Sequence, residues 1–340
     1  SSEDAEDQMI KCGSYTGNGS TNGPEINLGW EPQFLMFKRA SGGTANWMMV
    51  DSMRGLNVTG RTELIPNLSN AEYNSTSSNI VQPTSTGFKL TAVASQTNNA
   101  SSDYIYMAIR APMMVEPEAA TDVFGLGHAT SAGEMAITTS FPVDMGMMRQ
   151  NNGGGYGVST RLTSKTHLLT NSTQVEQSQP SYFFDSMEGF FENIGNVSSI
   201  IGYGWKRAKG YFDVVAYTGD GQQGKTVAHS LGVVPEMMWV KLRDQQAYSW
   251  AVYSKDLSIN QYLVLDTTAA PATNSLIWDG TQPTDSVFST GDTGYWNNGN
   301  TKSYIAYLFA SVSGVSKVGS YTGNGSSQTI SCGFSAGSRY

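Results

Sequence analysis

Apolar residues in this chain come in short bursts separated by turn-forming residues. Phe34–Phe37 and Met237–Lys241 are apolar runs bounded by proline on one side (Pro32, Pro235) and by Lys or Arg on the other. Runs of that length and setting predict buried strands. Trp47–Val50, Trp250–Tyr253, Tyr262–Leu265, Ser286–Phe288, Tyr104–Ile109 and Ser303–Phe309 predict further strands. Between them stand Gly-Asn-Gly, Ser-Gly-Gly and Asn-Asn-Gly-Asn, whose residues accept positive φ and so favour turns. The periodicity is two rather than 3.6, and no helix is expected beyond a short turn at Ser69–Tyr73 or Thr267–Ser275.

The pattern repeats. Lys11–Gly19 (KCGSYTGNG) returns as Val214–Gly221 (VVAYTGDG) and as Lys317–Gly325 (KVGSYTGNG), with Tyr15, Tyr217 and Tyr321 at equivalent positions. The first gap is close to twice the second, which places a further unit between them. Fifteen residues beyond Pro32 and Pro235 stand Trp47 and Trp250, and each unit closes on an apolar stretch rich in tyrosine. In the intervening unit, Pro142–Arg149 matches the proline block, Tyr156 stands in the place of the tryptophan, and Ile200–Trp205 is the closing stretch. Its opening signature is degenerate, near Val123–Gly127.

Short strands, frequent turns and units of about 100 residues predict an all-β chain of tandem, jelly-roll-like β-sandwich domains. The expected boundaries are a linker over 1–10, repeat 1 over 11–111, a divergent repeat 2 over 112–209, repeat 3 over 210–313, and the start of a fourth, cut-off repeat over 314–340. Tyr15, Tyr217 and Tyr321 are expected to serve the turn and core of each repeat, and Trp47, Tyr156 and Trp250 its core. The short junctions predict units packed end to end as a semi-rigid rod.

Charged residues make up 14% of the 340-residue chain, and the formal net charge is −8. That balance argues against a nucleic-acid-binding scaffold, which would show a basic face. No apolar run is long enough for a membrane-spanning helix, so no membrane insertion is expected. Cys12 and Cys332 lie near opposite ends and are read as free thiols rather than a disulfide framework.

Candidate chemistry changes the picture little. Gly219–Lys225 (GDGQQGK) spells a dinucleotide-type glycine pattern, but a strand pattern follows it where a helix should open, so it reads as a glycine-rich turn. His128, His167 and His229 have no ligand spacing, and no Gly-x-Ser-x-Gly elbow is present. Asp185 and Glu188 in FFDSMEGFF are the nearest approach to a glycosidase carboxylate pair, and read better as a polar turn between core aromatics. Asp51, Asp213, Asp220 and Asp279 have no calcium-loop pattern. Several Asn-x-Ser/Thr triplets, Asn57 and Asn171 among them, follow from composition. No cofactor and no metal are expected. Tyr295 and Trp296, beside an Asn-Asn-Gly-Asn loop and outside the repeat pattern, are candidates for contact with a glycan or host surface.

The signature Lys11–Gly19, the segment 208–235 and the segment 314–333 resemble a repeat found in bacteriophage virion proteins, common in marine and other aquatic phages. The resemblance covers nearly the whole chain and is weak over 112–140. It implies a virion location, a non-enzymatic tail fibre or appendage, and partners among other virion proteins. It also implies contact with the host cell surface and a homo-oligomer, with a trimer favoured by analogy with fibres. Other readings are a capsid decoration or head-fibre protein, a carbohydrate-binding module, and a polysaccharide depolymerase.

Overall fold

A computed structural model describes residues 9–75, 79–129, 135–150, 156–179, 182–192 and 200–334. The chain is all-β and built from repeated, multi-stranded antiparallel sheet domains. Its described helical content is a single 3-10 turn at Ala120–Asp122.

The first set of strands comprises β1 (Ile10–Thr16), β2 (Glu25–Asn27), β3 (Pro32–Arg39), β4 (Met48–Asp51) and β5 (Arg61–Glu63). It continues with β6 (Tyr73–Ser75), β7 (Val81–Thr84), β8 (Gly87–Leu90) and β9 (Asp103–Arg110). The second set holds β10 (Phe124–Ala129), β11 (Met135–Thr138), β12 (Met145–Gln150), β13 (Gly157–Thr160) and β14 (Thr166–Leu169). Four short strands complete it: β15 (Gln177–Ser178), β16 (Tyr182–Phe183), β17 (Gly189–Glu192) and β18 (Ile200–Trp205). The third comprises β19 (Phe212–Thr218), β20 (Lys225–Ala228), β21 (Met237–Leu242) and β22 (Ala251–Ser254). After these come β23 (Gln261–Val264), β24 (Ala272–Thr273), β25 (Val287–Thr290) and β26 (Ser303–Phe309).

One plan recurs. The large sheets run β1-β9-β3-β4, β10-β18-β12-β13-β14-β15 and β19-β26-β21-β22-β23-β24, so in each the opening strand pairs with the closing one. The second strand of each set leaves for a small sheet: β2-β8-β7, β11-β17-β16 or β20-β25. A core fills the space between the large and small sheets. In the first set Leu35, Phe37 and Ala108 meet Val81, Phe88 and Leu90, and in the third Val240, Ala306 and Leu308 meet Val227 and Phe288. The glycine-rich Gly219–Gly224 segment joins β19 to strand β20, with Gly221 and Gly224 at positive φ, so it is a turn between strands.

The outer faces of the large sheets differ from set to set. In β9 exposure alternates along Asp103–Ala108, and Ile105 is 45% exposed. In β26 the equivalent run Tyr304–Leu308 is buried on both faces, and Ile305 is fully buried. The cover comes from the second set. Met145, Val158, Leu162 and Leu168 pack against Phe212, Val214, Trp250, Ile305 and Tyr307, forming a continuous core between two large sheets. The expected end-to-end rod is therefore not what forms: the second and third units stack sheet on sheet. The first unit joins them through Val58 N–H to the Leu162 carbonyl (2.7 Å) and Thr59 Oγ1 to the Thr163 carbonyl (2.7 Å).

Residues 314–334 carry no strand, although they hold the third copy of the signature, and Tyr321 is 69% exposed.

Candidate functional site

The signature acts as a polar clasp. Tyr15 lies opposite Tyr104 across β1 and β9, and Tyr217 lies opposite Tyr304 across β19 and β26. The rings stack at 5.3 Å and 15° in the first pair, and at 5.2 Å and 16° in the second. Tyr15 Oη donates to the Thr97 carbonyl and Tyr217 Oη to the Asn297 carbonyl, each at 2.7 Å. The residue after each of these acceptors, Asn98 or Asn298, is fully buried. Its Oδ1 accepts the backbone N–H of Asn18 (2.9 Å) or Asp220 (3.0 Å). Gly17 and Gly219 permit the close approach, since a Cβ on either would sit 2.3 Å from a carbonyl oxygen, that of Asn99 or Gly299. Tyr15 and Tyr217 thus serve turn and core together. Asn98 and Asn298 escaped the sequence reading, although each stands six residues before its closing-strand tyrosine in both copies.

A second constellation lies where the three sets of strands meet, on a cleft of about 740 Å³. Arg207, between β18 and β19, donates from Nη1 to both oxygens of Glu31 (2.9 Å each) and from Nε to Asp213 Oδ1 (2.7 Å). Its backbone N–H reaches Asp144 Oδ2 at 2.7 Å, and Asp144 Oδ1 accepts from Arg161 Nε at 3.1 Å. Asp213 is fully buried and its Oδ2 also accepts the Ser230 N–H (2.7 Å). Burial pushes the Glu31 carboxyl above its ordinary range, against the pull of Arg207. Burial also works against the charge of Arg207, but Asp213, Glu31 and Asp144 carry its guanidinium above the ordinary range. A parallel pair, Arg243 with Glu176 (2.7 Å), joins β21's end to the loop before β15. These carboxylates are engaged by guanidinium groups, an arrangement suited to holding units together. Of these carboxylates the sequence reading weighed only Asp213, as a calcium candidate, and it missed the ion-pair cluster because Glu31 and Arg207 are 176 residues apart.

The third feature is an open groove of about 910 Å³ between the second and third units. Tyr203 and Trp205 of β18, Trp239 of β21 and Phe309 of β26 line it half-buried, with Trp239 and Phe309 in contact at 4.8 Å. Tyr156 also lines it, under the guanidinium of Arg149 at 4.9 Å. The C-terminal residues Val315–Gly319 and Phe334 form one wall.

The residues expected in the repeat core separate here. Trp250 is fully buried, but at the seam between units, where its Nε1 donates to the Leu169 carbonyl (3.0 Å). Trp47 and Tyr156, at the same repeat position, are half-buried and outside the core clusters, and Tyr156 lines the groove. Tyr321 is on the surface, not in a core. Tyr295 is exposed, meets Tyr248 edge-on at 5.3 Å and lies under the Lys302 ammonium at 5.4 Å. Trp296 points away from it into the third unit, against Tyr262 at 5.5 Å, so the two do not share a surface. Asp185 and Glu188 are exposed on the turn between buried Phe184 and Phe190, and neither lines a described cleft, although Met187 between them does. Asp51 pairs with Arg54, Asp213 with Arg207, and Asp220 with Lys225. Among the described residues no three His, Cys, Asp or Glu side chains gather as a metal site.

Fold and clasp define a class of repeated all-β domain in which the first and last strands of each unit are adjacent. The family model described as Domain of unknown function (DUF7483) matches residues 7–112 and 192–336, and the chain belongs to that family. No curated protein and no solved structure matches the chain.

Proposed function

We propose that this chain is a non-enzymatic structural protein of a bacteriophage virion, a tail fibre or related appendage that self-assembles and contacts the host cell surface. In this reading each unit is a closed, jelly-roll-like sandwich. The observation that carries it is the use made of ionisable groups. Arg207 with Glu31 and Asp213, and Arg243 with Glu176, join separate units, while Arg161 holds Asp144 within the second unit. A surface protein that must transmit load needs such joints, whereas an acid–base catalyst needs a carboxyl aimed at substrate. The virion assignment rests on the resemblance of the repeated signature.

A second reading concerns the surface that makes contact. The groove aromatics Tyr203, Trp205 and Trp239 offer flat apolar faces of the kind that stack on sugar rings, which favours a host glycan as ligand.

The deciding experiment is light scattering of the purified chain with and without chelator, followed by titration with host surface polysaccharide. A chelator-insensitive oligomer, with glycan affinity that falls at least tenfold in Trp205→Ala and Trp239→Ala, is expected. Release of reducing ends from the polysaccharide, abolished by Glu31→Gln, would overturn the non-enzymatic reading in favour of a depolymerase.

A further inference from the structure

Among the described residues the dipeptide Asn-Gly stands at 18–19, 22–23, 298–299 and 324–325. Such a pair can lose its side-chain amide, because glycine has no Cβ to hinder attack of its nitrogen on the asparagine Cγ. In a folded chain the reaction needs a glycine N–H that is not hydrogen-bonded and a side chain that water reaches. A donor on Oδ1 helps it, since negative charge develops there.

The pair at 18–19 meets these conditions. Asn18 is exposed, and its Oδ1 accepts the Ser20 N–H at 2.9 Å. The Gly19 N–H makes no hydrogen bond with the described residues. Elsewhere the nucleophile is held. The Gly23 N–H donates to the Leu90 carbonyl (3.0 Å), and the Gly299 N–H donates to Tyr304 Oη (2.7 Å) beside fully buried Asn298. In the third unit Asp220-Gly221 takes the place of Asn18-Gly19, and there the Gly221 N–H is tied to the Asn298 carbonyl at 2.9 Å.

We infer that Asn18 is a self-modification site, at which the folded first unit converts its own asparagine to aspartate and isoaspartate. The Gly19 nitrogen gives up its proton and bonds to Asn18 Cγ, with the oxyanion at Oδ1 facing the Ser20 N–H. The Cγ–Nδ2 bond then breaks, and the departing amide takes up a proton to leave as ammonia. Water opens the cyclic imide at either carbonyl, giving aspartate or isoaspartate.

The signature in the third unit already carries the first of these products. Asp220 Oδ1 accepts the Gln222 N–H at 2.9 Å, as Asn18 Oδ1 accepts that of Ser20. Aspartate at position 18 therefore keeps this contact. It loses the bond from Nδ2 to the Asn22 carbonyl (2.9 Å), and it lacks a counter-charge. Lys225, which meets Asp220 at 3.5 Å, has Pro24 in its place in the first unit. Isoaspartate adds a main-chain atom just after the Asn18 N–H that Asn98 Oδ1 holds at 2.9 Å, so it loosens the clasp. This goes beyond the proposed function and does not depend on it.

Peptide mapping of the full chain, incubated folded in mildly alkaline buffer and in parallel in urea, tests it. In the folded chain the amide-to-acid mass gain is expected to grow at least about tenfold faster at Asn18 than at Asn22 or Asn298, because those two must first open a hydrogen bond or a buried turn. In urea the three rates are expected to converge. Asn324 falls on a separate tryptic peptide and is scored apart. Equal rates in the folded chain overturn the inference, as does an Asn18 that stays intact while the chain in urea reacts. The same order of rates in urea also overturns it, since local sequence and not the fold would then set the order. Asn18→Gln, a change at an exposed side chain, is expected to abolish the gain on that peptide, and a gain that persists belongs to Asn22 and sinks the assignment. None of these outcomes touches the appendage reading, which stands or falls on light scattering and glycan titration.

Discussion

At the scale of residues, the determining groups are small and polar. Asn298 is buried with all of its hydrogen-bonding capacity facing the signature turn: Oδ1 accepts from Asp220, and Nδ2 donates to Asp220 Oδ1 (3.0 Å) and the Gln222 carbonyl (2.7 Å). Asn298→Ala strands these partners away from water and should lower stability by about 1–3 kcal/mol, read from urea unfolding. His229 is a second case. Burial brings its imidazole below the ordinary 6.5, against the pull of Asp213. Its folded state therefore resists protonation while the unfolded state accepts it, so the contribution is present above pH 6.5 and is lost as pH falls. Melting temperature should drop from pH 7 to pH 5, and His229→Gln should flatten part of that slope. An unchanged slope would mean that other groups carry it.

At the scale of elements, one strand pattern serves two environments. Tyr104–Ile109 and Tyr304–Phe309 are both apolar throughout, and nothing in either run says which will be covered on both faces. Ile105→Ala should change stability by no more than about 0.5 kcal/mol, whereas Ile305→Ala should cost about 2–5 kcal/mol in chemical denaturation. Equal losses would contradict the seam. This is also where the sequence was readable and where it was not. The strands and the signature turns of the first and third sets were legible because local periodicity and glycine chemistry fix them. Trp47, Tyr156 and Trp250 looked alike because their burial depends on another unit's sheet, which local spacing does not encode. The Glu31–Arg207–Asp213 cluster was illegible for the same reason: three side chains from distant segments meet only after the units dock.

At the scale of the molecule, that cluster is the joint. Arg207→Met removes the guanidinium that bridges Glu31 and Asp213, and leaves the fully buried Asp213 and the half-buried Glu31 without it. The expected cost is about 3–5 kcal/mol, seen as a lower midpoint in calorimetry. Adding Glu31→Gln to Arg207→Met should recover part of it, since the uncompensated charge is then reduced. The plan that places first and last strands side by side has its own result during synthesis. Thr16 meets Asp103, 87 positions further along the chain, so the first large sheet has no closing strand until nearly all of that unit has left the ribosome. Pairings this distant in sequence are slow to form, and each newly made unit must wait, open-edged, for its final strand.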